Sequence, residues 1–204
     1  MTKRSPPKNI FVIGAQCTGK TTLVDALEEY FSQPEKSSSR LSIIREVARD
    51  VLKRYNFTRD DITSSPERAL QLQNYILEAQ FEAETAVSID PSADWYISDR
   101  SGIDPIVYAH IFVGEEAAKQ LLASATWKKL EEHMKAGLVV LCEAGFSWLI
   151  DDGTRLMPKD IEDWKRLDAA FRNLLTTREI DYIVIPRDKT DVLDRVAVVV
   201  DAHK

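Results

Sequence analysis

Between residues 14 and 21 the chain reads Gly14-Ala15-Gln16-Cys17-Thr18-Gly19-Lys20-Thr21, the spacing G-x-x-x-x-G-K-[ST]. These residue types in this order suit the binding of a polyphosphate. Gly14 and Gly19 let a tight turn, filled by Gln16 and Cys17, bring backbone N–H groups against phosphate oxygens. A helix beginning at the end of the turn adds its unpaired N–H groups and the positive end of its dipole, so the amides from Thr18 to Thr22 form the cradle. Lys20 supplies a point charge for the β- and γ-phosphates, Thr21 offers a hydroxyl to Mg²⁺, and Thr22 adds a contact to the α-phosphate. The loop therefore implies a nucleoside triphosphate with Mg²⁺, and leaves open what is done with the phosphate.

Such a loop works between a strand that ends beneath it and a helix that starts on it. Upstream, Ile10–Ile13 is a short apolar, β-branched run; downstream, Thr22 to Phe31 repeats apolar residues at helical spacing. Four more strand-like runs follow, Leu41–Ile44, Trp95–Ser98, Leu138–Cys142 and Tyr182–Ile185, alternating with the helix-period segments Pro66–Val87, Glu115–Lys135, Asp160–Thr177 and Val192–Val200. This alternation predicts an α/β fold with a five-stranded parallel sheet and helices on both faces. With 204 residues and 44% hydrophobic content, the chain is sized for a single domain, residues 1–8 being a flexible tail.

Composition narrows the partners. A net charge of −6 without a basic block argues against nucleic acid, whose binding is dominated by phosphate electrostatics. No apolar stretch is long enough to cross a membrane, and the first eight residues lack an apolar signal region. Cys17 and Cys142 make neither a disulfide framework nor a metal set, and His110 and His133 stand apart from any metal-binding spacing. A soluble protein of a reducing compartment, the cytoplasm, is expected.

In parallel α/β sheets ligands meet residues beyond the carboxyl ends of the strands. After the second strand come Glu46 and Arg49, three apart and thus on one helical face, placed either for an acceptor molecule or as a solvated ion pair. Gln73 and Gln80 fall inside the apolar stripe of the long helical segment Pro66–Val87, where each amide needs a partner, a ligand or the protein itself. The third strand runs directly into Asp99-Arg100-Ser101, with Asp104 before Pro105 and Tyr108 one turn on. Asp99 is suited to accept the proton of an attacking hydroxyl or to hold Mg²⁺ through water, and Arg100 to bind the acceptor or to steady the charge of the transferring phosphoryl. Asp104 either binds a sugar hydroxyl or supports Arg100.

Asp99-Arg100-Ser101 resembles the Asp/Glu-Arg pair that ends the third strand in nucleoside and nucleotide kinases. Together with Arg45-Glu46-Val47-Ala48-Arg49 and Ser98 to Pro105, it is similar to a narrower group, the P-loop ATPase/kinase-like family that contains the ribosylnicotinamide kinase domain of bacterial NadR. Asp152-Gly153-Thr154-Arg155 resembles the same group at the segment preceding the lid, which implies that Arg155 closes over the phosphates. An arginine brought by a closing lid neutralises the transferring phosphoryl and expels water. The loop after the last strand lies against the base in small P-loop kinases, so the resemblance places Arg187 there, with a flat guanidinium suited to stacking on a purine. Asp188-Lys189-Thr190-Asp191 differs by one residue from the guanine-reading Asn-Lys-x-Asp, which keeps GTP beside ATP as a donor.

The expectation is a nucleoside-monophosphate-kinase-like P-loop NTPase with a lid, transferring the γ-phosphoryl of ATP to a hydroxyl of a nucleoside-like or riboside-like acceptor. Catalysis falls to Lys20, Asp99, Arg100 and Arg155, the metal to Thr21 and Asp99, and acceptor binding to Glu46, Arg49, Gln73, Gln80, Asp104 and Tyr108. The alternative is an ATP- or GTP-binding regulatory switch without an acceptor, which the same family resemblance also allows. Kinases of this shape are often homodimers, an expectation that rests on the resemblance alone.

Overall fold

Each of the five short apolar runs is a strand, and each helix-period segment is helical. The computed structural model describes residues 8–33, 35–36, 39–58, 61, 64–145 and 161–203. Along these the elements are β1 Ile10–Ile13, α1 Lys20–Phe31, β2 Leu41–Ile44, α2 Ala48–Arg54, α3 Pro66–Ile89, β3 Trp95–Asp99, α4 Ile103–Phe112, α5 Glu115–Ala123, α6 Ala125–Ala136, β4 Leu138–Cys142, α7 Ile161–Thr177, β5 Tyr182–Ile185 and α8 Val192–Ala202. Every strand pairing is parallel, in the order β2-β3-β1-β4-β5.

Because successive side chains of a strand face opposite ways, the central strand β1 feeds both faces of the core. Ile10 and Val12 pack with Leu23, Val24 and Leu27 of α1 and with Val196 and Val199 of α8. Phe11 and Ile13 pack on the other face, with Leu77 of α3, Ile103 of α4, Trp127 and Leu130 of α6, and Trp164 and Phe171 of α7. A smaller cluster of Val51, Phe57, Leu72 and Ile76 fastens α2 to α3. Burial on both faces explains why the strands read as continuous apolar runs rather than alternating ones.

Local chemistry sets the ends. Ser65 caps α3 by accepting the Arg68 N–H, and Pro66 occupies the first turn, where its missing N–H is harmless. The segment Glu115–Lys135, read from sequence as one helix, is two. Ser124 has extended backbone (φ −66°, ψ 150°), its hydroxyl donating to the Leu121 carbonyl at 2.7 Å and accepting the Trp127 N–H at 3.1 Å. One serine thus closes α5 and opens α6, and the bend lets both helices lay apolar residues on the same core. β3 runs one residue further than the apolar pattern, through Asp99, which pairs with Val12 of β1. That register carries the carboxylate to the strand end beside the loop. Among the described residues no helix is long and apolar enough to cross a membrane.

Candidate active site

The phosphate loop joins β1 to α1. Gly14 has φ +131°, and a Cβ there would stand 2.6 Å from the Cys142 carbonyl oxygen of β4, a backbone atom that cannot move aside. Gly19 has φ +75° and heads α1 with no side-chain cap, so the first-turn N–H groups have no capping side chain and face the loop. Cys17 also has a positive φ, +60°. The loop is braced from within by Thr18 Oγ1, which donates to the Ala15 carbonyl at 2.9 Å, and from α7 by Trp164, whose indole N–H donates to the Gln16 carbonyl at 2.8 Å. Lys20 is buried; its Nζ donates to the Ala15 carbonyl at 2.6 Å and to Thr18 Oγ1 at 3.5 Å. Burial, with the nearby charge of Arg100, depresses its pKa to about 8, against the opposing influence of Asp104, Cys142 and Asp99.

Thr21 and Asp99 meet at the mouth of this loop. The Thr21 hydroxyl donates to Asp99 Oδ2 at 2.6 Å, while Asp99 Oδ1 is buried and has no hydrogen-bond partner. An orphaned carboxylate oxygen next to a hydroxyl and an amide cradle is a fit for a hard cation that takes its remaining ligands from phosphate and water. Thr21 and Asp99 are the groups at this cleft that could hold Mg²⁺.

Arg100 follows with φ +86°, strained for a side-chain-bearing residue. Its amide donates to the Val12 carbonyl at 2.9 Å, its Nε to Glu46 Oε1 at 2.7 Å, and its Nη1 to Asp104 Oδ1 at 3.1 Å. Burial alone would raise the Glu46 pKa, but the charge of Arg100 and hydrogen bonds from Arg49 and Arg100 lower it to about 2. Arg49 Nε donates to Glu46 Oε2 at 2.8 Å from an exposed position on α2. Asp104 also accepts the Ser101 N–H at 3.0 Å; burial pushes its carboxyl up, and Arg100 and Lys20 resist. The Tyr108 hydroxyl donates to Gln16 Oε1 at 2.7 Å, linking α4 to the loop, and burial raises its pKa. A cleft lined by Cys17, Gly19, Lys20, Thr21, Thr22, Glu46, Asp99 and Arg100 results.

Other residues singled out from sequence stand elsewhere. Gln80 donates to Glu84 Oε1 at 2.8 Å and to Ser98 Oγ at 3.0 Å, so its amide nitrogen is satisfied by protein, the alternative that the apolar stripe left open. Glu84 in turn accepts from Tyr96 at 3.0 Å and lies 2.8 Å from His133 Nδ1, making a buried polar network under β3. Gln73 is buried on α3 and is not among the cleft-lining residues. Arg187 is exposed, its backbone N–H donating to Glu143 Oε2 at 2.9 Å and its side chain lying over Gly145. Asp191 caps α8, Oδ1 accepting the N–H groups of Leu193 and Asp194 at 2.8 and 3.2 Å, so the aspartate of the guanine-like tetrad serves a helix terminus. Arg155 lies outside the described residues.

One residue at the loop escaped the sequence reading. Arg195, buried on α8, donates from Nη2 to the Thr18 carbonyl at 2.9 Å. The available signal was a lone arginine in the apolar run Val192–Val200, which reads as an exposed position until the helix is docked.

A five-stranded parallel sheet of this order, with the loop after β1 and Asp-Arg ending β3, defines a P-loop kinase-like domain. A family model described as an AAA domain matches residues 9–195, and the chain belongs to that family. No curated protein sequence matches significantly. Among solved structures, NadR in complex with NR superposes with a TM-score of 0.70 at 17% identity, covering 97% of this chain and 50% of that one. The chain thus spans about half the length of that protein. Thymidylate kinase from Ehrlichia chaffeensis gives 0.63 at 16% identity, with 96% and 97% covered, and deoxyadenosine kinase from M. mycoides 0.60 at 13%, with 95% and 97% covered. At these identities the likeness is one of fold.

Proposed function

We propose that the protein is a Mg²⁺-dependent phosphotransferase that moves the γ-phosphoryl of ATP to a hydroxyl of a small nucleoside-like or riboside-like acceptor. The observation that carries the reading is the 2.6 Å bond from Thr21 to Asp99 with the second Asp99 oxygen buried and unpartnered at the loop mouth. Two solved structures of similar fold are kinases of nucleoside or nucleotide substrates by name, and a third is NadR in complex with NR, which supports the acceptor class.

The loop amides and Lys20 hold the β- and γ-phosphates, and Thr21 with Asp99 would hold the metal, whose charge offsets that developing on the β–γ bridging oxygen. With Thr21 and Asp99 Oδ1 given to the metal, Asp99 Oδ2 is the oxygen left to orient the acceptor hydroxyl and take its proton as the new O–P bond forms and the bond to the β-phosphate oxygen breaks. Arg100, held by Glu46 and Asp104, and Arg155 from the lid-side segment steady the equatorial oxygens. Glu46 is held ionised by two arginines, so it serves here to position Arg100 and, with Arg49, Asp104 and Tyr108, to shape the acceptor pocket. Arg187 borders the base.

Turnover of ATP and of GTP with Mg²⁺, measured against a panel of nucleosides and ribosides for wild type and Asp99→Asn, tests this. One accelerating acceptor, with the variant slowed by about a hundredfold or more while still binding nucleotide, is expected. Nucleotide turnover that no acceptor accelerates, with GTP bound far more tightly than ATP, would replace the kinase with a regulatory NTPase.

A further inference from the structure

Against the phosphate loop, and not among the residues that line the cleft, a second cation stands on α8. Arg195 is only 4% exposed, yet it belongs to an element that reaches the sheet from the far end of the chain. Its Nη2 donates to the Thr18 carbonyl at 2.9 Å. Its Nη1 lies so close under Gly19 that a Cβ built there would be 2.5 Å away. Its charge opposes the rise that burial imposes on the pKa of the Cys142 thiol at the end of β4. The guanidinium is therefore wedged between the Thr18–Gly19 peptide and the sheet.

A trans peptide is planar, with its C=O and N–H pointing in opposite directions. A Thr18 carbonyl drawn down onto Arg195 therefore turns the Gly19 N–H away from the guanidinium. Gly19 sits in the left-handed region, φ +75° and ψ 25°, where a glycine peptide flips at little steric cost unless something holds it. Thr18 Oγ1 is tied to Ala15, so the side chain fixes the turn while the carbonyl is left for Arg195. A fixed guanidinium just below the loop also adds positive potential where a triphosphate brings its charge, at low dielectric and without reorganisation.

We propose that Arg195 is a positioning residue for polyphosphate binding: it locks the Thr18–Gly19 peptide with its N–H facing the β-phosphate side of the cradle. This rests on the nucleotide-binding half of the proposed function and is independent of whether an acceptor exists. At position 19 a Cβ would press on this guanidinium, at a positive φ that already favours glycine. It couples the last helix of the domain to the first loop, which are far apart in sequence.

The test is calorimetric binding of Mg²⁺-free inorganic tripolyphosphate, the non-hydrolysable triphosphate AMP-PNP with Mg²⁺, and adenosine, to wild type, Arg195→Lys and Arg195→Met. Arg195→Lys retains charge in the same socket but lacks the planar fork that reaches the Thr18 carbonyl with one nitrogen while the other lies under Gly19. Both variants are expected to bind tripolyphosphate and AMP-PNP about tenfold to a hundredfold more weakly than wild type, the loss of a charge-assisted hydrogen bond, with adenosine affinity unchanged. Arg195→Met is expected to be the weaker of the two. Equal affinity of folded Arg195→Lys and wild type for tripolyphosphate, or a parallel loss for adenosine and tripolyphosphate, would overturn the proposal. If Arg195→Met does not fold, Arg195→Lys alone decides. Wild type that binds no polyphosphate at all would instead overturn the nucleotide-binding reading itself, while absent kinase turnover with intact Arg195-dependent polyphosphate binding would leave this inference standing.

Discussion

Lys20 should make the ligand-free protein more stable as the solution becomes alkaline. Its ammonium is buried and faces Arg100, and the pKa falls from the ordinary 10.5 to about 8. Below about 8 both folded and unfolded chains carry the proton, and the folded state bears the whole cost of the buried charge. Between about 8 and 10.5 the unfolded chain holds one proton more than the folded one, so stability rises with pH until the penalty is gone. The depression of about 2.5 pKa units corresponds to ~3 kcal/mol, of which about 2.5 kcal/mol is recovered between about pH 7 and pH 10. Urea unfolding of wild type and Lys20→Met across that range isolates the effect, because the other titrating groups cancel in the difference. The variant also loses the donor to Ala15, so the absolute difference at one pH is ambiguous and the slope is the observable. Wild type should gain on the variant by about 2.5 kcal/mol, and saturating tripolyphosphate should flatten the gain, since bound phosphate restores the ammonium. A difference that is flat or falling from about pH 7 to about pH 10 would refute the argument that the loop stores an uncompensated buried charge.

Three further outcomes follow from the same geometry. Arg100→Met strands the Asp104 carboxylate and leaves Glu46 with Arg49 alone, and should destabilise the domain by about 3–5 kcal/mol in urea titrations, partly relieved by Glu46→Gln in the double variant. Gly14→Ala drives a Cβ against the Cys142 carbonyl at a positive φ, so a loss on the order of 3 kcal/mol is expected by thermal unfolding, with phosphate binding lost even where the protein remains folded. The hydrogen bond to Glu84, aided by its charge and opposed by burial, raises the pKa of His133 above its ordinary 6.5. The ion pair therefore contributes fully below 6.5 and is lost as pH rises through the higher folded value, so the stability advantage of wild type over His133→Gln should shrink with rising pH in that window. An advantage constant with pH would show that the pair is not charge-dependent.

Much of the site was legible because its information is local. The loop from Gly14 to Thr21 carries its own turn geometry, and the strands announce themselves as apolar runs whose ends fall where the pattern puts them, except that β3 continues through Asp99. Asp99 and Arg100 were legible from their place at the end of such a run. The split at Ser124 was not, because a serine inside a helical period is tolerated until tertiary packing favours a bend. Gln80 shows the same limit: its position in the apolar stripe is a fact of sequence, while its partners Glu84 and Ser98 come from another turn and another strand.

Sequence by itself determined the strand-loop-helix unit, the order of elements and the residue types that meet phosphate, since each depends on contacts within a few residues. Only the tertiary structure decided that β3 lies beside β1, so that Asp99 meets Thr21 across 78 positions, and that α8 docks beneath the loop, so that Arg195 meets Thr18 across 177. Those pairings are chosen by which faces of the sheet each helix must cover, a global packing condition that no short stretch of residues encodes.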